Sequence, residues 1–382
     1  MYESFSVRDF RGFTELKIED LKRVNLITGK NNVGKTTLLE AIFFDANSPN
    51  IGVANLINKT RGIVSSRVPK NDINETLLDS FFHNYDSSKT IEFSSERRVG
   101  RKRIKDNIKL RFFDDISQIE DPLVISRFAE SFASNWSYNE KTRIVNKFVS
   151  SDMLKEERIA VLEFLDGRAN ETKFYFLPIP PRRNSMFSSS PSGRMIVYYQ
   201  TSRGTVSLED IAELFAKVQF ENLDKEFTEV LRVLEPRLKD VRQIFWGGNP
   251  YLFGNLSGLN NPLPLQLMGE GTNRLASILL YIMNAKDGVV LIDEIENGFH
   301  YSVLPHIWEI IQKAAVRFNV QVFASTHSYE CVTAALSIFE RKKYDDFRLF
   351  RLERNQYQEN ISIESYSVEE LGAATDLHLE VR

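Results

Sequence analysis

The sequence predicts an α/β protein whose core sheet contains buried parallel strands. A glycine-rich segment at 29–37, GKNNVGKTT, lies between an apolar strand-like run and a helix-like run. Two further apolar runs, at 287–294 (DGVVLIDE) and 320–325 (VQVFAS), have the composition of strands that are covered on both faces. Polar residues end or follow each run, as is typical of the carboxyl edge of a parallel sheet, where ligands bind.

The segment at 29–37 matches the phosphate-binding pattern G-x-x-x-x-G-K-[ST], with a strand before it and a helix after it. Gly29 and Gly34 permit the backbone angles that turn successive N–H groups toward phosphate oxygens. We expect Lys35 to reach the β- and γ-phosphates of ATP and the Thr36 hydroxyl to ligate Mg²⁺, while Thr37 caps or packs. The predicted nucleotide-binding residues of this loop are Gly29, Asn31, Asn32, Gly34, Lys35, Thr36 and Thr37.

Length and composition are compatible with either a single large domain or two domains. The chain has 382 residues, and its formal net charge of −3 gives no global argument for or against nucleic acid. The single cysteine, Cys331, excludes an intramolecular disulfide and is expected to be a buried small hydrophobe. We recognise no secretory leader and no run of roughly 20 apolar residues, which predicts a cytoplasmic protein without a membrane partner.

The N-terminal residues lead directly into the phosphate loop. Residues 4–10 and 14–19 alternate apolar and polar side chains around Arg11-Gly12, which predicts two short strands joined by a tight turn. With the strand at 24–28, this arrangement resembles the opening of the SMC/RecF/OLD group of ABC-type ATPases. The resemblance implies a P-loop NTPase fold: an ABC-type head with a mixed or parallel core sheet, an antiparallel β-subdomain and a helical insertion.

Residues 91–113 alternate like a hairpin whose turn lies near Gly100. Two interpretations of its basic residues remain open. Either the ribbon binds the DNA backbone through counterion release, or it is a solvated face that pairs with the acidic stretch at 114–121. No aromatic side chains interleave the charges, as a stacking platform would need. The basic residues are Arg97, Arg98, Arg101, Lys102, Arg103, Lys105, Lys109 and Arg111.

The middle of the chain predicts a helical insertion, because aromatic and aliphatic residues recur at helical spacing. A Ser-rich, Pro-broken stretch within it predicts a mobile loop. No run of three or four heptads occurs, so the long coiled coil of SMC-type relatives is absent. The helical spacing covers 121–166 and 208–238, and the mobile loop covers 182–194. Short strands are expected at 174–177 and 195–200. The predicted divisions are 1–113 (first half of the head with the β-subdomain), 114–240 (insertion) and 241–382 (second half of the head).

Two acidic residues end the apolar run at 287–294. Asp293 is predicted to bind Mg²⁺ through water, as a Walker B aspartate, and Glu294 to orient or deprotonate the attacking water. The alternative is that they cap the following helix. Unpaired charge at the end of a buried strand is costly, however, which favours a functional role.

His327 follows the second apolar run within the sequence STHS. A lone histidine is usually packed or exposed, but this position after a neighbouring strand resembles the switch histidine of ABC-type ATPases. The resemblance implies that His327 contacts the γ-phosphate. The predicted catalytic residues are therefore Lys35, Glu294 and His327.

The segment LMGEGTNRL at 267–275 resembles the ABC signature motif, which lies at a helix N-terminus and contacts the γ-phosphate of the partner subunit's nucleotide. Most members have serine followed by two glycines, whereas Gly269, Glu270 and Gly271 occupy the core here. The hydroxyl contact is therefore missing or supplied by Thr272. Gly269 and Gly271 are predicted to contact nucleotide in this way.

Residues 296–300 occupy the position of the D-loop and are expected at a dimer interface. His300 has a structural or a catalytic role, of which the structural one is favoured. The Q-loop glutamine is not assigned, and its candidates are Gln118, Gln200 and Gln219.

These motifs predict an enzyme, an OLD/SMC-like ATPase that binds and hydrolyses ATP and assembles through head-to-head contacts as a homodimer or higher homo-oligomer. No toprim-like cluster of acidic residues follows the ATPase motifs. We therefore expect a clamp or sensor in DNA maintenance or anti-phage defence that works with a separate effector encoded nearby. The alternatives are an ATP-held scaffold with negligible turnover and a transporter's nucleotide-binding subunit, which the unusual signature disfavours.

Overall fold

The computed structural model describes residues 1–50, 53–62, 79–113, 158–179, 193–202, 207–354, 361–377 and 379–381. The strands within these residues are β1 (Tyr2–Phe10), β2 (Phe13–Ile18), β3 (Val24–Thr28), β4 (Ile91–Val99), β5 (Lys102–Phe113), β6 (Arg158–Asp166), β7 (Glu171–Ile179), β8 (Val197–Gln200), β9 (Leu238–Trp246), β10 (Asn249–Leu256), β11 (Leu263–Pro264), β12 (Val289–Ile292), β13 (Gln321–Ser325), β14 (Phe347–Arg354) and β15 (Ile361–Tyr366). The helices are α1 (Lys35–Asn47), α2 (Val53–Thr60), α3 (Leu208–Phe220), α4 (Asp224–Leu231), α5 (Glu270–Asn284), α6 (Leu304–Arg317), α7 (Tyr329–Arg341) and α8 (Val368–Asp376).

The chain divides into two compact units. The core unit contains Met1, Asp20–Leu39 and Met195–Arg382, and the β unit contains Tyr2–Glu19 and Glu40–Arg194. These boundaries differ from the predicted divisions after residues 113 and 240. The reason is that β3 and the phosphate loop join strands from the C-terminal half of the chain, whereas the N-terminal hairpin joins the strands at 91–179.

The core unit is built on a six-stranded sheet with the strand order β15-β14-β3-β13-β12-β8. Strands β14, β3, β13, β12 and β8 are parallel, and β15 pairs antiparallel with β14. Every residue of β3, β12 and β13 is buried, as expected for parallel strands covered on both faces. The predicted mixed core sheet, with mainly parallel strands, is confirmed.

Helices α5, α6 and α7 contribute many of the buried apolar side chains of the core unit. Trp308 of α6 and Phe339 of α7 lie edge to face, with ring centroids 6.5 Å apart. The Trp308 indole also donates a hydrogen bond to the carbonyl oxygen of Cys331 at 3.2 Å. At the start of α7, the Ser328 hydroxyl accepts the N–H of Cys331 at 3.1 Å and caps the helix. These contacts fix the backbone that follows β13.

Strands β9, β10 and β11 form a separate antiparallel sheet in the core unit, in the order β11-β10-β9. Helices α3 and α4 precede it in the chain and confirm the predicted helical pattern as far as Leu231, whereas Leu238 begins β9. The rings of Phe215 and Phe227 lie 5.4 Å apart between the two helices. After β11, a short 3-10 turn at Leu265–Leu267 leads into α5. The chain therefore passes from this sheet almost directly into the segment that resembles a signature motif.

The β unit is built on a six-stranded sheet in the order β2-β1-β4-β5-β6-β7, with antiparallel pairing throughout. The predicted hairpins are confirmed as β1–β2 and β4–β5. Aromatic side chains form the core of this unit: the Phe93 ring stacks on Phe44 at 5.1 Å and meets the edge of Phe10 at 5.4 Å. The predicted antiparallel β-subdomain is therefore present.

Residues 158–166, which the sequence analysis assigned to a helical insertion, form strand β6. This run is apolar over several consecutive positions, a pattern that helices and buried strands share. Pairing with β5 and β7 decides in favour of the strand. Strand β7 contains the predicted strand at 174–177 and continues through Pro178, which an edge strand tolerates.

Several predictions concern residues that the structure does not describe. These are the predictions for 114–157, which include Gln118, and for the Ser-rich loop at 182–194, of which only Gly193 and Arg194 are described. No helix in the described part of the chain combines the length and apolar character needed to cross a bilayer.

Candidate active site

The carboxyl ends of β3, β13, β12 and β8 lie at one edge of the core sheet. Ile27 of β3 lies beside Ser325 of β13. Ile292 of β12 lies beside Ala324 on one side and Gln200 on the other. The phosphate loop, Asp293 and the segment with His327 follow three of these strands directly. Because open α/β sheets bind ligands at this edge, the topology brings the predicted motifs together.

The phosphate loop turns sharply between β3 and α1. Gly29 and Gly34 have φ angles of 139° and 102°, and Asn32 has a φ of 63°, values that glycine and asparagine tolerate best. A Cβ atom on Gly29 would lie 2.5 Å from the carbonyl oxygen of Leu352, so only glycine fits there. Asn31 and Asn32 are exposed at the tip of the loop.

Lys35 is the first residue of α1 and is buried. Its ammonium donates to the carbonyl oxygens of Gly29 at 2.6 Å and Lys30 at 2.9 Å. Burial lowers the pKa of Lys35, and the carboxylates of the 293–296 segment oppose that shift. The cation therefore lies inside the loop, close to acidic groups. Thr37, in the first turn of α1, is partly buried.

Thr36 and Asp293 meet although they are 257 positions apart in the chain. The Thr36 hydroxyl lies 3.2 Å from Oδ1 and 3.0 Å from Oδ2 of the Asp293 carboxylate. Asp293 is only 3 % exposed, so its charge is almost fully removed from solvent. This contact joins the phosphate loop and the predicted Walker B aspartate in one site.

Ser325, the last residue of β13, links the two adjacent acidic residues. Its hydroxyl donates to Oδ1 of Asp293 at 2.5 Å and accepts the backbone N–H of Glu294 at 2.9 Å. Glu294 has a φ of 49°, an angle that non-glycine residues rarely adopt and that is often found at functional sites. Its carboxylate accepts a hydrogen bond from the Asn297 side chain at 2.7 Å. The carboxylate that follows Asp293 is therefore held in a defined position.

His327 is held by Glu296. One oxygen of the Glu296 carboxylate accepts the backbone N–H of His327 at 3.0 Å and lies 3.1 Å from its ring Nδ1. The imidazole is about half exposed, whereas Glu296 is mostly buried. The backbone N–H of Thr326 donates to the carbonyl oxygen of Ile27 at 3.0 Å, so the histidine that follows lies at the same edge as the phosphate loop.

Arg274 of α5 reaches the same segment from the helix side. Its Nη2 nitrogen donates to the backbone carbonyl oxygens of Asp293 at 2.6 Å and Glu294 at 2.7 Å. Burial lowers the pKa of Arg274, and the neighbouring carboxylates, with Glu296 first, oppose that shift. The side chain is 8 % exposed.

Sequence reasoning missed Ser325, Glu296 and Arg274 as residues of the site. For Ser325 and Arg274 a signal was present: a hydroxyl ends an otherwise apolar strand, and a guanidinium interrupts the apolar face of a helix. Their partners could not be identified, because the hydrogen bonds join segments 19 to 32 positions apart.

The segment that resembles a signature motif forms the N-terminus of α5. Gly269 is exposed and has a φ of 100°. A Cβ atom on Gly271 would lie 2.6 Å from the carbonyl oxygen of Gly298, so α5 packs closely on the turn at 296–299. Thr272 is 5 % exposed, which argues against its supplying a hydroxyl to a partner's nucleotide. The contacts of Gly269 and Gly271 with nucleotide stay a prediction.

Of the glutamine candidates, Gln200 ends β8 beside the Walker B strand, whereas Gln219 is exposed on α3. Gln200 is 5 % exposed, and its Oε1 atom has no hydrogen-bond partner among the described residues. Its carbonyl oxygen accepts the N–H of Asp293 at 2.8 Å. His300 is exposed and caps the 3-10 helix Tyr301–Val303, which agrees with a structural role.

The residues at this edge fit a magnesium–nucleotide complex. Among the described residues no group of three or more His, Cys, Asp or Glu side chains can hold a metal ion. Mg²⁺ instead combines one or two carboxylates with hydroxyl, water and phosphate oxygens. Thr36 and Asp293 supply such oxygens, and the unpartnered Oε1 of Gln200 is a further acceptor nearby. The close packing at Gly29 and the enclosed Lys35 suit a phosphate group.

The basic hairpin β4–β5 is largely neutralised within the β unit. Arg97 is buried against Asp106, and five exposed or partly exposed cations form ion pairs with carboxylates. The acidic partners seen in these pairs lie within the β unit, and the stretch at 114–121 lies outside the described residues. This pairing favours the solvated face over a DNA surface, because paired cations release fewer counterions. The pairs are Arg98 and Arg103 with Glu3, Lys105 with Glu96, Lys109 with Glu92, and Arg111 with Glu163.

Comparison with known proteins adds a family assignment. The family model described as "AAA domain, putative AbiEii toxin, Type IV TA system" matches residues 24–332. An "ATP/GTP phosphatase" of Helicobacter pylori is 21 % identical over 363 residues, which cover 90 % of each chain. The "DNA replication and repair protein RecF" of Lactobacillus johnsonii is 54 % identical over 41 residues, which cover 11 % of each chain.

Among solved structures, an SMC head bound to the C-winged helix domain of ScpA is similar over 97 % of this chain and 99 % of its own, with 13 % identity and a TM-score of 0.47. The SMC head domain of Thermotoga maritima is similar over 96 % of this chain and 98 % of its own, with 13 % identity and a TM-score of 0.42.

Proposed function

The chain belongs to the AAA domain family whose model it matches over residues 24–332, and on this premise we propose that it binds and hydrolyses ATP at the carboxyl edge of its core sheet. The observation that supports this most directly is the contact between Thr36 and Asp293 at 3.0 Å. A phosphate loop alone is compatible with binding only. A loop whose metal-ligating hydroxyl meets a buried aspartate, followed at once by a second carboxylate, is the arrangement that phosphoryl transfer needs.

Each residue has a distinct role in this proposal. Lys35 places its positive charge against the β- and γ-phosphates. Thr36 and Asp293 would hold Mg²⁺, which would supply further positive charge to neutralise the phosphates. Glu294 orients the attacking water and accepts its proton, since its carboxylate is fixed by Asn297. His327, held by Glu296, donates to the γ-phosphate.

The test is steady-state phosphate release with ATP and GTP as substrates, because the Helicobacter pylori relative is named for both nucleotides. We expect turnover by the wild type, loss of ATP binding in Lys35→Ala, and retained binding in Glu294→Gln with turnover lowered about 100-fold or more. Exposed residues supply the matched controls, Lys286→Ala and Glu369→Gln, which should behave like the wild type. Turnover in Glu294→Gln equal to the wild type would contradict the assignment of the base.

A second candidate function is a switch that ATP holds closed with negligible turnover. The specific observation in its favour is the signature segment, where Gly269 is the N-cap of α5 and Thr272 is buried. Tight ATP binding by the wild type without phosphate release, together with no effect of Glu294→Gln on nucleotide dissociation, would select this function.

The finer role that we propose is a clamp or sensor that works as a homodimer or higher homo-oligomer with a separate effector. The family description, which names a toxin of a type IV toxin–antitoxin system, supports a role in defence. The short segment shared with RecF supports the alternative in DNA maintenance. Co-expression of the neighbouring gene with tagged Glu294→Gln tests the effector: ATP-dependent co-purification is expected, and its absence would contradict a partner encoded nearby.

A further inference from the structure

We propose that Arg274 is a positioning residue for hydrolysis: it ties the peptide groups of Asp293 and Glu294 to helix α5, so that both carboxylates are correctly placed only when this helix is seated. This inference rests on the proposed function, because it concerns the same acidic residues. Arg274 touches neither nucleotide nor water in this proposal and acts through the backbone that carries the two carboxylates.

The Arg274 guanidinium restrains two peptide groups at once. One nitrogen of the guanidinium donates to two consecutive carbonyl oxygens, at 2.6 Å and 2.7 Å. Hydrogen bonds from a charged donor are stronger than neutral ones and restrict the acceptor's position more closely. The peptide groups held are those of Asp293 and Glu294, where β12 ends and the chain adopts the uncommon φ of 49° at Glu294.

The positive charge of Arg274 is costly at its buried position. Arg274 is 8 % exposed, and among the described residues no carboxylate oxygen lies within 4.0 Å of its guanidinium nitrogens. Its Nε atom also has no hydrogen-bond partner there. A buried cation without a direct ion pair is costly, and replacement of such a group by an apolar side chain of similar volume is often neutral or stabilising. Stability alone therefore does not explain arginine at this position.

The position of Arg274 on α5 relates it to the turn at 296–299. The residue lies one turn after Gly269 and Gly271, at the N-terminal end that packs on the carbonyl oxygen of Gly298. The same helix thus contacts the turn at 296–299 and holds the carbonyls at 293–294. A displacement of the N-terminal end of α5 is transmitted to both carboxylates through a single side chain.

Ser325 holds the same two residues from the other side, through the Asp293 carboxylate and the Glu294 N–H. The acidic pair is therefore held between β13 and α5. Removal of the α5 contact leaves Asp293 bonded to Ser325 and leaves the phosphate loop unchanged. We therefore expect a loss in kcat without a comparable loss in ATP affinity.

The experiment compares kcat and KM for ATP in the wild type, Arg274→Met and Arg274→Lys. We expect kcat to fall at least tenfold in Arg274→Met, with KM within threefold of the wild-type value. Arg274→Lys retains a cation with donors, so it should recover part of the lost kcat. Arg317→Met, which replaces a half-exposed arginine of α6, is the matched control and should leave both constants unchanged.

The outcomes separate the two proposals. Suppose that the wild type turns over ATP, that Glu294→Gln abolishes this turnover, and that the kcat of Arg274→Met stays within twofold of the wild-type value. The proposed function then stands, and the role of Arg274 is overturned. Parallel losses in kcat and ATP affinity would also overturn it, because they indicate a general collapse of the site. If Arg274→Met does not fold, Arg274→Gln, which removes the guanidinium but keeps a polar side chain, decides: reduced kcat at unchanged KM supports the inference, and wild-type kcat overturns it. If the wild type does not turn over ATP, both proposals are wrong.

Discussion

At the scale of single residues, the site depends on small polar groups at the ends of buried strands. Ser325 donates to the Asp293 carboxylate and accepts the N–H of Glu294. A buried N–H without a partner costs about 1–3 kcal/mol, so this hydroxyl stabilises the turn that carries both acids. It also selects one orientation of the Asp293 carboxylate toward Thr36.

Replacement of Ser325 by alanine should therefore weaken the response to Mg²⁺ more than the fold. We expect the Mg²⁺ concentration for half-maximal phosphate release to rise about tenfold, which corresponds to about 1.4 kcal/mol. The measurement is a Mg²⁺ titration of turnover at saturating ATP. Ser337→Ala, which removes a hydroxyl that bonds only within α7, should leave the titration unchanged. Equal titrations for Ser325→Ala and the wild type would contradict the role of this hydroxyl.

Cys331 gives a prediction about pH. Burial raises the pKa of its thiol from 9.0 to about 12, so from about pH 9 to 12 the folded state keeps a proton that the unfolded state has lost. The stability due to this group is intact below pH 9 and falls as the pH rises to 12, by up to about 1.4 kcal/mol per pH unit. Cys331→Ala should therefore show a shallower loss of unfolding free energy above pH 9.

The measurement is urea unfolding of both proteins at several pH values across this window. Buried tyrosines with raised pKa values, such as Tyr281, lower stability in the same direction in both proteins and cancel in the comparison. Equal slopes for the two proteins would contradict the assignment to Cys331.

At the scale of elements, the position of α5 depends on a glycine. Gly271 lies in the first turn of the helix, and a Cβ atom there would lie 2.6 Å from the carbonyl oxygen of Gly298. The helix can approach the turn at 296–299 only without a side chain at this position. The same approach brings Arg274 within reach of the carbonyls at 293–294.

Two helical glycines with opposite expected effects test this packing. Gly271→Ala should lower the free energy of unfolding by about 1–3 kcal/mol and reduce turnover, because the added methyl group displaces α5. Gly372→Ala in α8 should raise the free energy of unfolding by about 0.5–1 kcal/mol, since the added Cβ atom would meet only Glu340 at 3.6 Å. Chemical denaturation measures the unfolding free energy of each variant, and phosphate release measures its turnover. A neutral or stabilising Gly271→Ala would show that the contact is not tight in solution.

At the scale of the whole molecule, the proposed assembly depends on the position of the signature segment. Gly269 is exposed, and among the described residues no hydrogen bond or ion pair joins it to the phosphate loop. A signature segment that acts in trans therefore requires a second copy of the chain. The bound γ-phosphate would be the group that both copies contact.

The expected outcome is an ATP-dependent change of mass. Glu294→Gln with ATP and Mg²⁺ should double in mass or assemble further, whereas the wild type with ADP and Lys35→Ala with ATP should not. Light scattering after size-exclusion chromatography gives the mass directly. A monomer in all three conditions at micromolar concentration would contradict assembly through the nucleotide.

The middle of the chain shows the limit of reasoning from periodicity. Residues 158–166 were predicted to be helical, yet they form β6 between β5 and β7. Ala160, Val161 and Leu162 are apolar in succession, which both a buried helix and a buried strand allow. The hydrogen bonds of neighbouring strands decided this element, and the sequence around it carries no information about them.

The sequence by itself determined the local elements of the site. A glycine-rich turn between an apolar strand and a helix is specified by residues within about ten positions of one another, and so is a strand that ends in two acids. Only the tertiary structure decided which of these segments meet. The order β3-β13-β12-β8 brings Thr36 to Asp293 across 257 positions and gives Ser325 and Arg274 their partners. The physical reason is that strand order depends on how apolar faces are buried together, a property of the whole fold that no local pattern encodes.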